Sequence, residues 1–241
     1  MSDAIVFADL MDDAALLSYE HQLHLAEVLG EHSWDVDLNE GRFAFETEFG
    51  TKVCTDFHLL GSAAPGPSSW LWSWANPAGY PEEVVGLARS LRNFGIAHDI
   101  DELADEEVPF DAFWFEEPTP VLVAGAMMEA SKVLSGRWTS YSGGVNAAGT
   151  RAAFLVEHPD FQLPPPSGPR VMRVLNAGLA EIVLRDHRRA LHSYLSRRGL
   201  NPTFTADLAH LTFDHAVIGG TVDFDEFGRA SALNARLGPG Q

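Results

Sequence analysis

A row of alternating tryptophans is the feature that most constrains the fold of this chain. Trp70, Trp72 and Trp74 are separated by single residues, and residues two apart in a β-strand project to the same face of the sheet. Three indoles on one face need a packed layer above them or a cavity that they line. Two interpretations stay open: a core face beneath helices, or a small-molecule cavity with Asn76 at its mouth.

Alternating patterns on both sides of this row predict β-hairpins. Residues 34–46, 52–74 and 138–156 each contain two alternating apolar segments around a turn rich in Gly, Asn or Pro. Between them, residues 9–30, 81–94 and 120–134 carry apolar side chains every three or four positions, which is typical of amphipathic helices. The combination predicts an α+β fold, in which an antiparallel sheet of hairpins has helices packed on one face.

A proline-rich run divides the chain. Residues 164–169 read Pro-Pro-Pro-Ser-Gly-Pro, a stiff and extended composition. We therefore predict an α+β domain over residues 1–160, a linker over 161–169 and a C-terminal part over 170–241. In that last part we expect one long helix over 170–198, ended by Gly199, followed by strands. It forms either a second helix-and-strand lobe or an extension of the same sheet.

The charge is strongly acidic and unevenly distributed. The net charge is −18; residues 1–135 carry 25 acids and five bases, whereas residues 136–241 carry nine acids and 11 arginines. An acidic front half repels phosphate backbones, so nucleic acid is not an expected partner. We interpret the only basic cluster as a solvated helix face. Its members are Arg185, Arg188, Arg189, Arg197 and Arg198.

Neither export nor membrane insertion is indicated. The first residues carry acids where a signal peptide needs a positive start, and no run of eighteen apolar residues occurs. The single cysteine, Cys54, excludes an intrachain disulfide. We expect a soluble cytoplasmic protein with no membrane partner; the sequence predicts no particular oligomeric state.

One helical segment carries possible metal ligands. Glu20, His24 and Glu27 lie at i, i+4 and i+7, where a divalent metal could be held, and His21 lies beside them. The segment lacks the zinc-protease spacing of two histidines four apart around a glutamate. We interpret these residues as exposed polar positions beside a core stripe, and we predict no bound metal and no cofactor.

A second histidine–carboxylate group lies near the C-terminus. His210, Asp214 and His215 fall in an alternating strand, so Asp214 and His215 face opposite sides. Residues 223–228 begin like a calcium loop but lack its later oxygen ligands, and we interpret them as a turn. The sequence has no nucleophile elbow, phosphate loop or dinucleotide fingerprint, and Cys54 lies mid-strand. We predict no catalytic residue, although a hydrolase-type enzyme with a His/Asp site stays an alternative.

The segment 99–117 combines negative charge with aromatic rings. It contains nine acids and no base, interleaved near its end with Phe110, Phe113, Trp114 and Phe115. We expect some of these rings to anchor the segment on the core while the carboxylates point into water. Such an arrangement suits a basic protein partner. The predicted contact residues are Asp101, Glu102, Asp105, Glu106, Glu107 and Trp114.

The octet Trp-Leu-Trp-Ser-Trp-Ala-Asn-Pro at 70–77 resembles a bacterial family of unknown function, recognised by a Trp-x-Trp-x-Trp-Ala-Asn-Pro motif. Looser matches are Leu59-Leu60-Gly61 and Asn93-Phe94-Gly95, and the resemblance covers roughly residues 15–160. It implies a soluble cytoplasmic domain with no assigned activity, so it transfers no catalytic residue. We predict a non-catalytic binding or interaction protein; the alternatives are the enzyme and the small-molecule binder that uses the tryptophan face.

Overall fold

The computed structural model describes residues 4–238, which divide into two compact units. Within the described residues, unit 1 comprises 4–7 and 21–162, and unit 2 comprises 8–20 and 163–238. Helix α1 (Phe7–Leu29) contributes residues to both. The inclusion of residues 8–20 in the C-terminal unit has no counterpart in the division made from sequence.

Unit 1 contains two antiparallel sheets and three further helices. Its elements in chain order are β1 (His32–Asp37), β2 (Arg42–Thr47), β3 (Gly50–Val53), β4 (Asp56–Ala64), β5 (Ser69–Trp72), α2 (Glu82–His98), α3 (Asp101–Ala104), β6 (Glu107–Pro109), α4 (Pro120–Ser135), β7 (Ser140–Gly144) and β8 (Arg151–Glu157). The strand orders are β1-β2-β3 and β6-β5-β4-β8-β7.

Unit 1 has two sheets where the sequence predicts one, because the backbone hydrogen bonds switch to a different strand between β3 and β4. The amide of Cys54 donates to the carbonyl of Phe43, and the next amide, that of Thr55, donates to the carbonyl of Glu157. An aromatic core joins the two sheets, with the rings of Phe43 and Phe154 5.1 Å apart and both side chains buried. Helices α2 and α4 both pack against β4.

Unit 2 contains two helices and a four-stranded antiparallel sheet, together with residues 8–20 of α1. The elements are α5 (Gly168–Glu181), α6 (His187–Arg197), β9 (Thr203–Phe204), β10 (His210–His215), β11 (Ile218–Phe224) and β12 (Ala230–Leu237). The sheet order is β12-β11-β10-β9. The core of this unit includes Leu191 and Leu195 of α6, both with no exposed surface.

Within residues 4–238, six helices and three antiparallel sheets confirm the α+β class. Two boundaries differ from the sequence prediction. The long helix expected over 170–198 is two helices, because the buried carboxylate of Asp12 accepts hydrogen bonds from the amides of Arg185 and Asp186, and Asp186 then caps α6. Helix α2 continues through Gly95 and ends at His98, and the residue that caps it, Asp99, is left-handed (φ 54°). Between residues 4 and 238, no helix is long and apolar enough to cross a membrane.

Candidate functional site

The tryptophan row is divided between the core and the surface. Trp70 and Trp72 lie in β5 with no exposed surface, and their rings meet edge to face at 5.4 Å. The indole Nε1 of Trp72 donates to the carbonyl oxygen of Glu102 at 3.0 Å. Gly61 on β4 lets Trp70 approach, since a Cβ there would lie 2.6 Å from its indole ring. A ligand could reach these two rings only if the packing around them opened.

Trp74 and Asn76 lie beyond the strand. The strand ends at Trp72, and residues Ser73–Ala75 form a 3-10 turn. The prediction that all three tryptophans lie in one strand is therefore wrong for Trp74. Trp74 is half-buried beneath the guanidinium of Arg92, 4.2 Å from its ring centroid. The Asn76 Oδ1 accepts from the amide of Ala78 at 3.0 Å, which stabilises the following turn. Ligand binding by this segment stays a prediction.

The acidic segment 99–117 lies along one edge of the five-stranded sheet. After α2 ends, the short helix α3 leads into the edge strand β6, which pairs with β5. Its buried side chains are apolar: Ile100, Leu103, Val108, Phe110 and Phe113, each at most 5% exposed. The Phe113 ring packs edge-on against Phe7 at 5.9 Å. The expected anchoring of the segment by aromatic rings is therefore confirmed.

The carboxylates of the segment point into water. Eight of the nine acids are exposed, and Glu102 is half-buried, where desolvation raises its pKa. Glu107 accepts a hydrogen bond from the hydroxyl of Ser69. Among residues 4–238, no basic side chain forms an ion pair with any of these nine carboxylates. The negative charge of this surface is thus left uncompensated by the described part of unit 1.

One large ring stands at the surface beside this charge. Trp114 is 42% exposed, and its ring packs against Phe7 at 6.4 Å and Phe115 at 5.4 Å. We call Trp114 together with the exposed carboxylates of 99–117 the acidic face. Chemically, this face can attract cationic side chains and offer them a rigid apolar contact.

A histidine–carboxylate–arginine cluster was missed by the sequence analysis. On β4, His58 Nε2 lies 3.4 Å from Asp56 Oδ2; Arg137 Nη1 lies 2.8 Å from that same oxygen and 2.7 Å from Glu157 Oε1. Burial lowers the pKa of His58, partly offset by Asp56. The i, i+2 spacing of Asp56 and His58 on a strand was the available signal. By contrast, burial raises the pKa of Cys54 to about 12, which leaves it a poor nucleophile.

The helical histidine–glutamate group does not form one site. Glu20 is 1% exposed, not an exposed polar position as interpreted from sequence, because it accepts from Tyr194 Oη at 3.1 Å and pairs with Arg198 Nε at 3.0 Å. His24 instead contacts the carbonyl of Asp160 at 3.0 Å. Within residues 4–238, no group of three His, Cys, Asp or Glu side chains is arranged to hold a metal ion.

The C-terminal histidine group forms one exposed pair. His210 Nδ1 lies 2.7 Å from Asp223 Oδ1, across the β10–β11 pairing. Asp214 is solvent-exposed beside Arg236. Asp225 accepts from the amides of Phe227 and Arg229, so residues 225–228 form the expected turn, whereas Asp223 and Phe224 still belong to β11.

The comparison with known proteins identifies a family over most of the chain. The sequence matches a family of unknown function (DUF6882) over residues 8–159. The chain belongs to this family. No curated protein and no solved structure matches the chain. The DUF6882 region contains the acidic face, the tryptophan segment and the His58 cluster, and membership carries no activity that could be transferred to them.

Proposed function

We propose that this DUF6882 member is a non-catalytic interaction protein whose acidic face binds a basic protein partner in the cytoplasm. The observation that carries the proposal is the division of 99–117 into buried aromatic anchors and exposed carboxylates without ion-pair partners in residues 4–238. We also propose that the family is bacterial and that the octet at 70–77 is its hallmark.

The charge of unit 1 supports this proposal. Unit 1 carries 23 acidic and seven basic side chains, and nine of those acids fall within 19 residues. A dense field of one sign accelerates association with an oppositely charged protein and repels partners of like charge. The field alone gives little affinity, since exposed ion pairs contribute only about 0–1 kcal/mol each.

An apolar anchor would supply the affinity that the charges do not. Binding energy concentrates on a few large side chains, with tryptophan among the most frequent. Trp114 is exposed over 42% of its surface, and Val121 and Leu122, in the first turn of α4, are 56% and 43% exposed. Apolar side chains with carboxylates nearby in sequence suit a partner that presents arginine or lysine around an apolar contact.

The edge strand offers a competing explanation for the same charges. Exposed strand edges are prone to pair with other chains, and charged side chains on them prevent this. If that were the role of Asp105, Glu106 and Glu107 around β6, neutralising the charge would cause self-association without affecting any partner. The two explanations therefore differ in a measurable outcome.

The test compares two variants of equal charge. The first carries Asp101→Asn, Asp105→Asn and Glu106→Gln, which are exposed; Glu102 and Glu107 are left intact because they are half-buried or hydrogen-bonded. The control carries Glu31→Gln, Glu40→Gln and Glu48→Gln, exposed acids elsewhere in unit 1. Affinity capture from native lysate is followed by calorimetry with the purified captured protein.

We expect a basic protein to bind the wild type and the control alike. Its affinity should fall at least about tenfold for the acidic-face variant and for Trp114→Ala, with a weaker salt dependence for the former. Equal binding by all variants would refute the acidic face as the docking surface. Self-association of the acidic-face variant with unchanged partner binding would support edge protection instead.

The enzyme alternative has one specific observation in its favour. The lowered pKa of His58 keeps its imidazole neutral near pH 7, and Asp56 is held beside it by Arg137. A neutral histidine beside a carboxylate can act as a general base; because both ring nitrogens of His58 are buried, a substrate would have to displace the packing around it. Hydrolysis of a panel of ester and phosphoester substrates that disappears in His58→Gln would favour this alternative over the interaction protein.

A further inference from the structure

A groove in unit 2 is lined by four of the five arginines that the sequence analysis assigned to a solvated helix face. The groove has a volume of about 900 Å³, and its walls come from Asp13, polar and charged residues between 185 and 197, Phe204, Leu208 and residues 227–228. The four lining arginines are Arg185, Arg188, Arg189 and Arg197. Arg198 does not line the groove, because Glu20 binds it within the core of the unit. The basic cluster is therefore concave.

The two carboxylates that line this groove form hydrogen bonds and ion pairs within unit 2. Asp13 forms a bidentate pair with Arg189, with oxygen–nitrogen distances of 3.0 and 2.7 Å. Asp186 accepts from the amide of Arg189 at 3.0 Å and so caps α6. Asp9, which does not line the groove, also lies 3.2 Å from Arg189 Nη1. The lining itself contains four arginines and two aspartates, a formal charge of +2.

Two of the other guanidinium groups are held in position by neutral contacts. Arg188 Nε donates to the carbonyl of Leu208 at 3.0 Å, and its guanidinium lies 5.3 Å above the ring of Phe224. Arg197 Nε donates to the hydroxyl of Ser193 at 3.3 Å. These contacts orient the two guanidinium groups. An arranged set of guanidinium groups matches the oxygens of phosphate, which they bind in bidentate fashion.

Aromatic rings line the same groove. His192 stacks on Phe204 with 5.6 Å between centroids and 15° between planes. Phe227 is 73% exposed, with Arg229 stacked 5.0 Å from its ring centroid. Sites for small molecules commonly enclose about 300–1,000 Å³ and combine such apolar surface with a few charged groups.

We propose that this groove binds the phosphate groups of a small phosphorylated ligand, whose planar part lies against Phe204 and Phe227. A phosphate monoester carries about −1.5 to −2 charges near pH 7, which suits a lining that holds four guanidinium groups and two aspartates. The inference goes beyond the proposed function, since it concerns unit 2, most of which lies outside the DUF6882 match at 8–159.

The test uses calorimetric titration of the full chain at low salt with four probes. ADP supplies phosphates and a planar ring, pyrophosphate the phosphates alone, adenosine the ring alone, and citrate a multiply charged anion without phosphate. We expect saturable binding of ADP and pyrophosphate with dissociation constants below about 1 mM, and none of adenosine or citrate in that range. Amide shifts on ADP addition should include Ser196 and Gly228.

Two substitutions with the same charge change locate the site. Arg197→Glu removes an exposed groove arginine, and we expect it to weaken both phosphate probes at least about tenfold. Arg236→Glu is the control: its side chain is 84% exposed on β12 and does not line the groove, and we expect at most about a threefold change from the longer-range field. Phe227→Ala should weaken ADP and leave pyrophosphate unchanged.

Several results would overturn the proposal. Absence of saturable binding by ADP and pyrophosphate, binding of citrate as tight as that of pyrophosphate, or an equal loss in both arginine variants would each do so. If pyrophosphate binds as tightly as ADP and Phe227→Ala affects neither, the ring contact is refuted and the site is one for inorganic phosphates.

Discussion

Replacing Trp72 by alanine tests whether the tryptophan segment holds unit 1 together. Its side chain has no exposed surface, packs edge to face on Trp70 at 5.4 Å, and donates to the carbonyl of Glu102 at 3.0 Å. Trp→Ala in a core costs about 3–5 kcal/mol through lost burial and the cavity left behind. The lost indole hydrogen bond leaves a carbonyl at α3 without that donor, which places the expected loss near the upper end, about 4–5 kcal/mol.

The tryptophans themselves supply the assay. All six lie between residues 34 and 138, within unit 1, so their fluorescence reports urea unfolding of that unit, while far-ultraviolet dichroism reports both units. Trp74→Ala is the matched control, because Trp74 is only half-buried and lies outside the strand; we expect it to lose about 1–2 kcal/mol. A loss below about 1 kcal/mol for Trp72→Ala would refute the core assignment and favour a ligand cavity.

Four further predictions concern Glu20, two helical glycines and Cys54. Glu20→Gln should destabilise unit 2 by about 3–5 kcal/mol, since it leaves the buried Arg198 without its counter-charge; thermal melts followed by dichroism measure it, and a shift below about 1 kcal/mol contradicts it. Gly95→Ala should cost about 1–3 kcal/mol, because its Cβ would lie 2.7 Å from a side-chain carbon of α3. Gly125→Ala, in α4 with open space around it, should instead stabilise unit 1 by about 0.5–1 kcal/mol. The fluorescence-detected urea titration described for Trp72→Ala measures both glycine variants. Cys54, with its pKa raised to about 12, should resist alkylation at pH 8 until the chain is unfolded. As pH rises above about 9, the thiol ionises in the unfolded chain before it does in the folded one, so the free energy of unfolding should fall.

Local patterns in the sequence predicted the elements whose signals are local. The stop at Gly136, left-handed at φ 71°, and the hairpin of β7 and β8 follow from turn residues and alternation alone. The helix break after residue 181 could not be predicted from local patterns, because it depends on the carboxylate of Asp12, about 170 positions earlier. Gly95, which directly follows the helix predicted over 81–94, lies inside α2 instead; a glycine is needed there because a Cβ would lie 2.7 Å from a side-chain carbon of Leu103 in α3.

The candidate sites differ in how much of them the sequence contained. The acidic face comes from one continuous segment, so composition and aromatic spacing were enough to predict its anchors and its exposed charges. The groove in unit 2 combines α6 with Phe204 and the turn at 227–228, and only tertiary structure brings these together. Linear charge counts could not distinguish a concave basic cluster from a solvated helix face.

The charge of the chain is better understood by unit than by half. By sequence, the acids of residues 8–20 belong to the acidic front half, but they lie in unit 2, where Asp13 binds Arg189 and Glu20 binds Arg198. Unit 2 then holds 11 acidic and nine basic side chains, close to balance. Two of its arginines are neutralised by these pairs, whereas Arg188 and Arg197 are positioned by neutral oxygens at the groove. The N-terminal carboxylates that make the front half look acidic thus form ion pairs inside unit 2, and the groove lining itself keeps four arginines against two aspartates, a formal excess that an anion would meet.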